Sequence, residues 1–336
     1  MRVRKLFLVL SVTLGVSGSA AEFPQASLSN GPIRATVYLP DAERGYYRGG
    51  RFDWSGVIAK LEYAGHNYFG VWFARYEPTL HDAITGPVEE FRSADGGLGY
   101  AEAAPGGYFI KIGVGILRKP DTQPYTFSRH YQIVSNGQWI VRPSADRIEF
   151  VQTLKASDGY GYEYSKTVRL ARDKPELILE HTLKNTGRRV IETEVYNHDF
   201  YVMDGQPTGP DFTVHFPFQA RATDDLKGAA GVVGKELVFR RELEPEHDSA
   251  SSYLVGYGTG AKDNDIRVEN RKTGAGVRET GDQPISKLFF WSTRTTLCPE
   301  VYTALRIEPG KKAKWRITYR FYTLTVAGNA GATSPR

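Results

Sequence analysis

The chain has 336 residues, with 43 basic and 38 acidic side chains and a formal net charge of +5. Its only cysteine, Cys298, excludes an intramolecular disulfide, so burial must stabilise the fold, and we expect this thiol to be buried and unreactive. No run of Lys and Arg of the kind that follows phosphates is present, which argues against nucleic acid as a partner.

The N-terminal segment predicts a signal peptide. A basic start at 2–5 precedes an apolar run at 6–16 and small residues at 19–21, which is the order found in secretion signals. The apolar run is too short to span a bilayer, which takes about 20 residues. We therefore expect residues 1–21 to be removed and the chain from Glu22 to be secreted or periplasmic, without stable membrane insertion. The segment carries three of the 43 basic residues and no acidic ones, so the mature chain is nearly neutral.

Nearly all of the remaining chain predicts strands and turns. Short runs of Tyr, Phe, Val, Ile and Thr are broken by Gly, Pro, Asn and Asp, and no long segment keeps a helical apolar period. The predicted strands, in chain order, are 33–39, 108–116, 131–134, 148–154, 162–170, 177–183, 190–200, 212–216, 287–291, 301–307 and 314–326. Since no linker or short repeat is present, the pattern predicts an all-β fold, a large antiparallel β-sandwich, as a single domain over 22–327.

Two segments depart from this pattern. The polar stretch 259–283 is expected to form an exposed excursion from the sheets. The tail at 328–336 consists mainly of small and polar residues and is expected to be disordered.

The segment 46–56 is dense in aromatic and charged residues. A turn at Gly49-Gly50 would bring Arg51, Asp53 and Trp54 close together. Two interpretations stay open. In the first, Arg48 or Arg51 clamps a carboxylate or hydroxyl group while Trp54 stacks on a sugar. In the second, an Arg–Asp pair and a buried Trp fix a corner of a sheet.

Two late strands carry acidic, basic and aromatic groups on one face. Strand alternation places together Glu192, Glu194, Tyr196 and His198 on the first strand, and Glu300, Tyr302 and Arg306 on the second. Rings that cover C–H patches and charges that bind hydroxyls are what a sugar cleft requires. A solvated outer face would show the same alternation, so both interpretations stay open.

The segment Glu194–Tyr201, followed by Gln206–Gly209, resembles the Asn-His strand and Pro-Thr-Gly turn of the aldose 1-epimerase (galactose mutarotase) family. Further segments resemble the family's flanking strands and its ending, in the same order: 166–170 and 177–185 before this strand, and 298–300, 307–310 and 317–321 after it. The agreement runs from about residue 129 to residue 321, more than half of the chain. The resemblance implies a galactose mutarotase-like sandwich.

The resemblance also implies residue roles. The family's glutamate is a general base for the anomeric hydroxyl, and its histidine is a general acid for the ring oxygen. Carried over, Glu300 is the base and His198 the acid of a reaction that opens the pyranose and closes it on the other face. Neither motif implies a metal or an organic cofactor.

Sugar-binding residues are predicted around this pair. Arg92 and His81 take the places of the family's substrate-binding arginine and histidine, although the family's arginine-asparagine motif is absent. Tyr196, Asn197 and Tyr302 lie beside the predicted catalytic residues and are further candidates.

Three functions remain open for a carbohydrate-active protein with a sugar or oligosaccharide ligand. The first is aldose 1-epimerase-like interconversion of anomers. The second is a polysaccharide lyase or glycosidase on the same scaffold, which export would suit because polysaccharides lie outside the cell. The third is a non-catalytic carbohydrate-binding protein.

The signal can be tested directly. When the full chain is expressed in a bacterial host, N-terminal sequencing of the exported protein is expected to begin at Glu22, because the small residues at 19–21 form the cleavage site. An intact N-terminus on the mature protein would contradict the prediction.

Overall fold

The computed structural model describes residues 23–155, 158–245 and 248–325. The predicted signal at 1–21 and the predicted tail at 328–336 therefore lie outside the described residues. The described chain forms 23 strands and two short 3-10 turns. Among these residues, no helix has the length and apolarity needed to cross a membrane.

The strands follow one another along the whole described chain. They are β1 Gln25–Ser29, β2 Ile33–Tyr38, β3 Val57–Tyr63, β4 His66–Asn67, β5 Val88–Arg92, β6 Tyr108–Lys111, β7 Gly115–Arg118, β8 Ile133–Ser135, β9 Gln138–Pro143, β10 Arg147–Lys155, β11 Gly161–Leu170, β12 Glu176–Asn185, β13 Ile191–His198, β14 Phe212–His215, β15 Arg221–Ala222, β16 Ala230–Val233, β17 Glu236–Phe239, β18 Ala250–Val255, β19 Asp265–Asn270, β20 Ala275–Gly281, β21 Lys287–Thr293, β22 Thr296–Ile307 and β23 Lys312–Thr323. The 3-10 turns are Met203–Gly205 and Ala261–Asp263.

The strands form two large sheets and two small ones. The ten-stranded sheet has the order β16-β17-β14-β19-β20-β23-β12-β11-β10-β9, and the six-stranded sheet has the order β15-β18-β21-β22-β13-β5. The small sheets are β1-β2-β3-β4 and β6-β7-β8. Neighbouring strands pair antiparallel, as in β13 with β22 and β12 with β23. The predicted all-β, antiparallel sandwich is confirmed.

The main core lies between the two large sheets. Leu179 and Phe321 from the ten-stranded sheet join Leu288, Phe290 and Val301 from the six-stranded sheet in one buried apolar cluster. Because side chains alternate along a strand, the neighbours of these residues on the six-stranded sheet point to its outer face. That outer face is where the candidate site lies.

A buried charge network also connects the two sheets. Glu89 of β5 accepts a short hydrogen bond from the Lys166 ammonium group of β11, and its other oxygen lies 2.8 Å from Nε2 of His181 on β12. Burial by itself would raise the pKa of Glu89, but Lys166 and His181 outweigh it and lower this pKa to about 2. The carboxylate is therefore charged and satisfied inside the sandwich.

Two predicted elements are corrected. The predicted strand 108–116 is the hairpin of β6 and β7, because the chain turns at Gly113, where φ is +80°. The predicted excursion 259–283 contains β19 and β20, which are inner strands of the ten-stranded sheet. Their charged residues pair on the outer face, where Arg278 Nε donates to Asp265 at 2.7 Å, while Ile266 is buried in the core.

Removal of the buried carboxylate tests its structural role. We expect Glu89→Gln to lower the free energy of unfolding by about 3 kcal/mol, because the buried Lys166 would lose the carboxylate that it hydrogen-bonds and keep only the Asp53 carboxylate, 4.0 Å away. The exposed Glu163 is the matched control, and Glu163→Gln is expected to change this value by less than about 0.5 kcal/mol. Urea unfolding followed by tryptophan fluorescence measures both, and equal midpoints for the two variants would contradict the account.

Candidate active site

The candidate site lies on the outer face of the six-stranded sheet. Tyr196 of β13 pairs with Glu90 of β5 on one side and with Tyr302 of β22 on the other. Glu300 pairs with Phe289 of β21. Residues in register across antiparallel strands share a face, so one face presents acidic, basic and aromatic side chains from four strands.

A cavity of about 320 Å³ lies over this face. The sheet provides most of its wall, and residues of covering segments close it. The sheet residues are Arg92, Tyr196, His198, Tyr253, Phe289, Trp291, Glu300 and Tyr302, and the covering residues are Arg51, Asp82 and Phe127, with Phe200 beyond the end of β13.

His198 and Glu300 meet in this cavity. Nε2 of His198 lies 3.4 Å from Oε1 of Glu300, and each side chain is 4% exposed. The imidazole stacks on Phe200, with a centroid distance of 3.7 Å, and lies edge-on to Trp291 at 5.3 Å. Its Nδ1 has no hydrogen-bond partner among the described residues. The structure thus places these two predicted residues beside each other.

Burial sets the protonation of this pair. Burial, reinforced by the positive charge of Arg51, lowers the pKa of His198 well below its ordinary value. Burial also raises the pKa of Glu300 to about 8, although Arg51 and a hydrogen bond from Tyr302 oppose the rise. That hydroxyl donates to Oε2 of Glu300 at 2.9 Å. At neutral pH the pair therefore holds one proton, carried by Glu300, beside a neutral imidazole.

Arg51 is fixed in the wall of the cavity by carboxylates. Its Nε donates to Glu90 Oε2 at 2.8 Å, and Nη1 donates to Asp82. The Tyr196 hydroxyl also donates to Glu90 Oε2, at 2.6 Å. The guanidinium lies over the ring of Phe127 at 4.2 Å. These contacts hold the cation in one position.

Glu90 is the group that organises this wall. It is fully buried, and it lies 3.3 Å from the Lys111 ammonium and 3.9 Å from Arg92 Nε, in addition to its bond with Arg51. Burial would raise the pKa of Glu90, but Arg51 and Lys111 outweigh it and hold the pKa well below its ordinary value. One carboxylate thus orients cations from three different segments.

Three of the predicted sugar-binding residues do not line the cavity. Trp54 is buried in an apolar cluster and donates its indole N–H to the Gly49 carbonyl at 2.9 Å. Asn197 lies on the opposite face of β13, where it donates to the Tyr319 hydroxyl at 2.9 Å. His81 lies behind the wall, with Nε2 3.0 Å from Asp82.

The predicted site residues Arg51, Arg92, Tyr196 and Tyr302 do line the cavity. Each of the two interpretations of segment 46–56 holds for a different residue. Arg51 faces the cavity, as a binding residue would, whereas Trp54 packs inside the protein. Asp53 fits neither interpretation. Its carboxylate accepts a hydrogen bond from the Tyr164 hydroxyl at 2.9 Å in the buried network.

The structure adds residues that the sequence analysis missed. Alternation along the predicted strand 287–291 places Phe289 and Trp291 on the same face. Phe289 is the pairing partner of Glu300, so this face is the one that lines the cavity. Phe127 has no such alternation to place it, since it lies in a loop. Among the described residues, no group of three or more His, Cys, Asp and Glu could hold a metal ion.

The protonation of the pair can be measured directly. In carbon NMR spectra of protein labelled at the glutamate carboxyl groups, one resonance is expected to titrate with a midpoint of about 8 and to be absent from Glu300→Gln. Tyr302→Phe is expected to raise that midpoint, because it removes a hydrogen bond that stabilises the carboxylate. A Glu300 midpoint near the ordinary glutamate value of about 4 would contradict the account.

Comparison with known proteins identifies the fold. No family model matches the chain, and no curated protein sequence matches it. A Synechocystis protein of solved structure is 14% identical, with coverage of 95% of this chain and 100% of that chain and a TM-score of 0.55.

Two further solved structures are similar. An aldose epimerase homologue from C. elegans is 13% identical, with coverage of 90% of this chain and 99% of that chain and a TM-score of 0.53. A galactose mutarotase-like protein from Lactobacillus casei is 12% identical, with coverage of 89% and 100% and a TM-score of 0.53. At these identities the likeness establishes the fold, and the chain has the architecture shared by aldose epimerase and galactose mutarotase-like structures.

Proposed function

We propose that the chain interconverts the anomers of an aldose by general acid/base catalysis, with His198 and Glu300 as the proton-transfer pair. The observation that carries the proposal is their separation of 3.4 Å in a buried cavity large enough for a sugar ring. Because of the signal pattern at the N-terminus, we also propose that the protein is exported from the cytoplasm.

The chemistry requires an acid and a base close together. In a cyclic hemiacetal, the anomeric hydroxyl and the ring oxygen are bonded to the same carbon. One group removes the hydroxyl proton while the other protonates the ring oxygen, so the C1–O5 bond breaks and the C1=O1 bond forms. Rotation about C1–C2 turns the aldehyde, and the reverse proton transfers close the ring. The pair starts and ends with one proton.

The shared proton connects the two possible role assignments. The family resemblance makes Glu300 the base and His198 the acid, whereas in the free site the proton lies on Glu300. Both forms hold one proton, and transfer between adjacent Oε1 and Nε2 atoms interconverts them. We assign activity to the singly protonated pair.

The cavity walls suit a sugar. The Arg51 guanidinium and Arg92 supply donors for ring hydroxyls, and Trp291, Phe127 and Tyr253 supply apolar ring surface. Such a combination of a few fixed polar groups with aromatic walls is typical of small-ligand sites.

A lyase on this scaffold could use a tyrosine as its base. Two of the sheet tyrosines that line the cavity, Tyr196 and Tyr302, do not fit that role. The Tyr196 hydroxyl donates to Glu90 and the Tyr302 hydroxyl donates to Glu300. Burial raises the pKa of both phenols well above the ordinary value, so neither is a base at neutral pH. The non-catalytic alternative keeps the same cavity, and only turnover distinguishes it.

Turnover is measured by NMR exchange between the α and β anomers of a panel of aldoses and uronic acids. We expect the mature protein to accelerate exchange for at least one sugar, and His198→Ala and Glu300→Gln each to lose about 100-fold or more of that acceleration, the scale of one acid/base group. His215 and Glu269 form a matched pair on the ten-stranded sheet, 3.0 Å apart, and His215→Ala and Glu269→Gln serve as controls. Sugar binding without acceleration would support the non-catalytic protein instead.

The pH dependence has a definite sign. Because burial raises the pKa of Glu300 to about 8, the pair keeps its proton through neutral pH and loses it above that value. We expect kcat/KM to be flat at neutral pH and to fall about tenfold per pH unit above about pH 8. Since burial lowers the pKa of His198, no loss of kcat/KM is expected on the acid side until the pH falls well below the ordinary pKa of histidine. A rate that keeps rising above about pH 8 would contradict the singly protonated pair.

A further inference from the structure

We infer that the cavity continues into a second subsite that binds the next sugar residue of a reducing oligosaccharide. This inference rests on the proposed function, because it places the reducing residue at His198 and Glu300. We call the cavity at this pair the first cavity, and its neighbour along the sheet the second cavity.

The two cavities lie along one strand face. Across β13 and β22, Tyr196 pairs with Tyr302, Glu194 with Ala304, and Glu192 with Arg306. The first of these pairs lines the first cavity, and the other two line the second cavity, which has a volume of about 480 Å³. The groove therefore runs from the proton-transfer pair toward the C-terminal end of β22.

The two cavities share wall residues. Arg92 and Tyr253 line both of them, so the two cavities meet at these side chains. From Glu300 to Arg306 a strand extends about 20 Å, which is longer than a single pyranose ring. A monosaccharide bound at Glu300 would leave the second cavity empty.

The junction has an exposed aromatic surface. Tyr253 is 47% exposed, although it is a large aromatic residue, and its ring centroid lies 4.9 Å from that of Phe289. Rings at such positions stack on the C–H faces of sugars. Arg92, whose side chain is 40% exposed, faces the same junction and offers donors to hydroxyl groups.

The floor of the second cavity offers both donors and acceptors. Lys287 donates to Glu194 at 2.5 Å, and Arg306 donates to Glu192 at 3.0 Å. Each sugar hydroxyl both donates and accepts, so paired charges of both signs suit a neutral, hydroxyl-rich residue. This balance favours a sugar rather than a strongly anionic group as the occupant.

A third cavity of about 440 Å³ lies on the other side of Arg92. Apart from Arg92, its lining comes from loop residues, including Ala101, Lys119 and Tyr125, and not from the strand face that carries Glu300. The second cavity continues that face, so we assign the second sugar residue to it.

The test compares free glucose with maltose, cellobiose and lactose, which all carry glucose at the reducing end. We expect Ala304→Trp, which fills the second cavity, to lower the ratio of kcat/KM for the preferred disaccharide to kcat/KM for glucose about tenfold. Ala101→Trp adds the same side chain to the third cavity and is expected to leave this ratio unchanged. For the wild-type protein, saturation-transfer NMR is expected to show contacts to the non-reducing residue of that disaccharide.

The outcomes separate the two proposals. Acceleration with glucose, together with a ratio insensitive to Ala304→Trp or with no contacts to the non-reducing residue, would overturn the second subsite and leave the proposed function intact. A ratio that responds to Ala101→Trp instead would also overturn this assignment. No acceleration with any sugar in the panel would remove both proposals.

Discussion

Two adjacent buried glutamates on β5 determine how the rest of the structure is arranged. A buried charge is tolerated only with partners, and successive side chains of a strand point to opposite faces. Glu89 therefore points into the sandwich and binds Lys166 and His181 of the other sheet. Glu90 points outward and binds Arg51 and Lys111. One short strand thus joins the two sheets and fixes the wall of the site.

The same burial that costs stability sets the protonation of His198 and Glu300, the proposed proton-transfer pair. The charge of Arg51 is balanced by Glu90 and Asp82, and His198 and Glu300 are each only 4% exposed beside it. Burial lowers the pKa of His198 and raises the pKa of Glu300, so each side chain favours its uncharged form. A neutral acid 3.4 Å from a neutral base can pass its proton to that base and take it back, which suits a reaction whose two halves exchange acid and base roles.

Strand periodicity predicted the central part of this site. Tyr196 and His198 share one face of their strand, and Glu300 and Tyr302 share one face of theirs. The family resemblance connected the two strands. Periodicity also argued against Asn197, which alternates to the inner face and was nevertheless included because it adjoins His198 in the sequence. Glu90 was missed because its importance depends on Arg51 and Lys111, which only the tertiary structure brings to it.

The local pattern failed where turns or covering loops decide the structure. A hairpin was predicted as a single strand because Gly113 interrupts an otherwise continuous β-prone run. The stretch 259–283 was predicted as an excursion because its outward charges outnumber its buried apolar residues, although Ile266 and Val268 alternate as in any sheet. Trp54 could not be assigned from sequence, since stacking on a sugar and packing in a core require the same side chain.

A crystal structure of the mature protein with a bound aldose tests most directly whether His198 and Glu300 act on one hemiacetal. We expect the anomeric hydroxyl to lie within about 3 Å of the Glu300 carboxyl group and the ring oxygen within about 3 Å of His198 Nε2, the distances of hydrogen bonds. A sugar that fills the cavity but presents only its other hydroxyls to this pair, or binds elsewhere on the protein, would contradict the account.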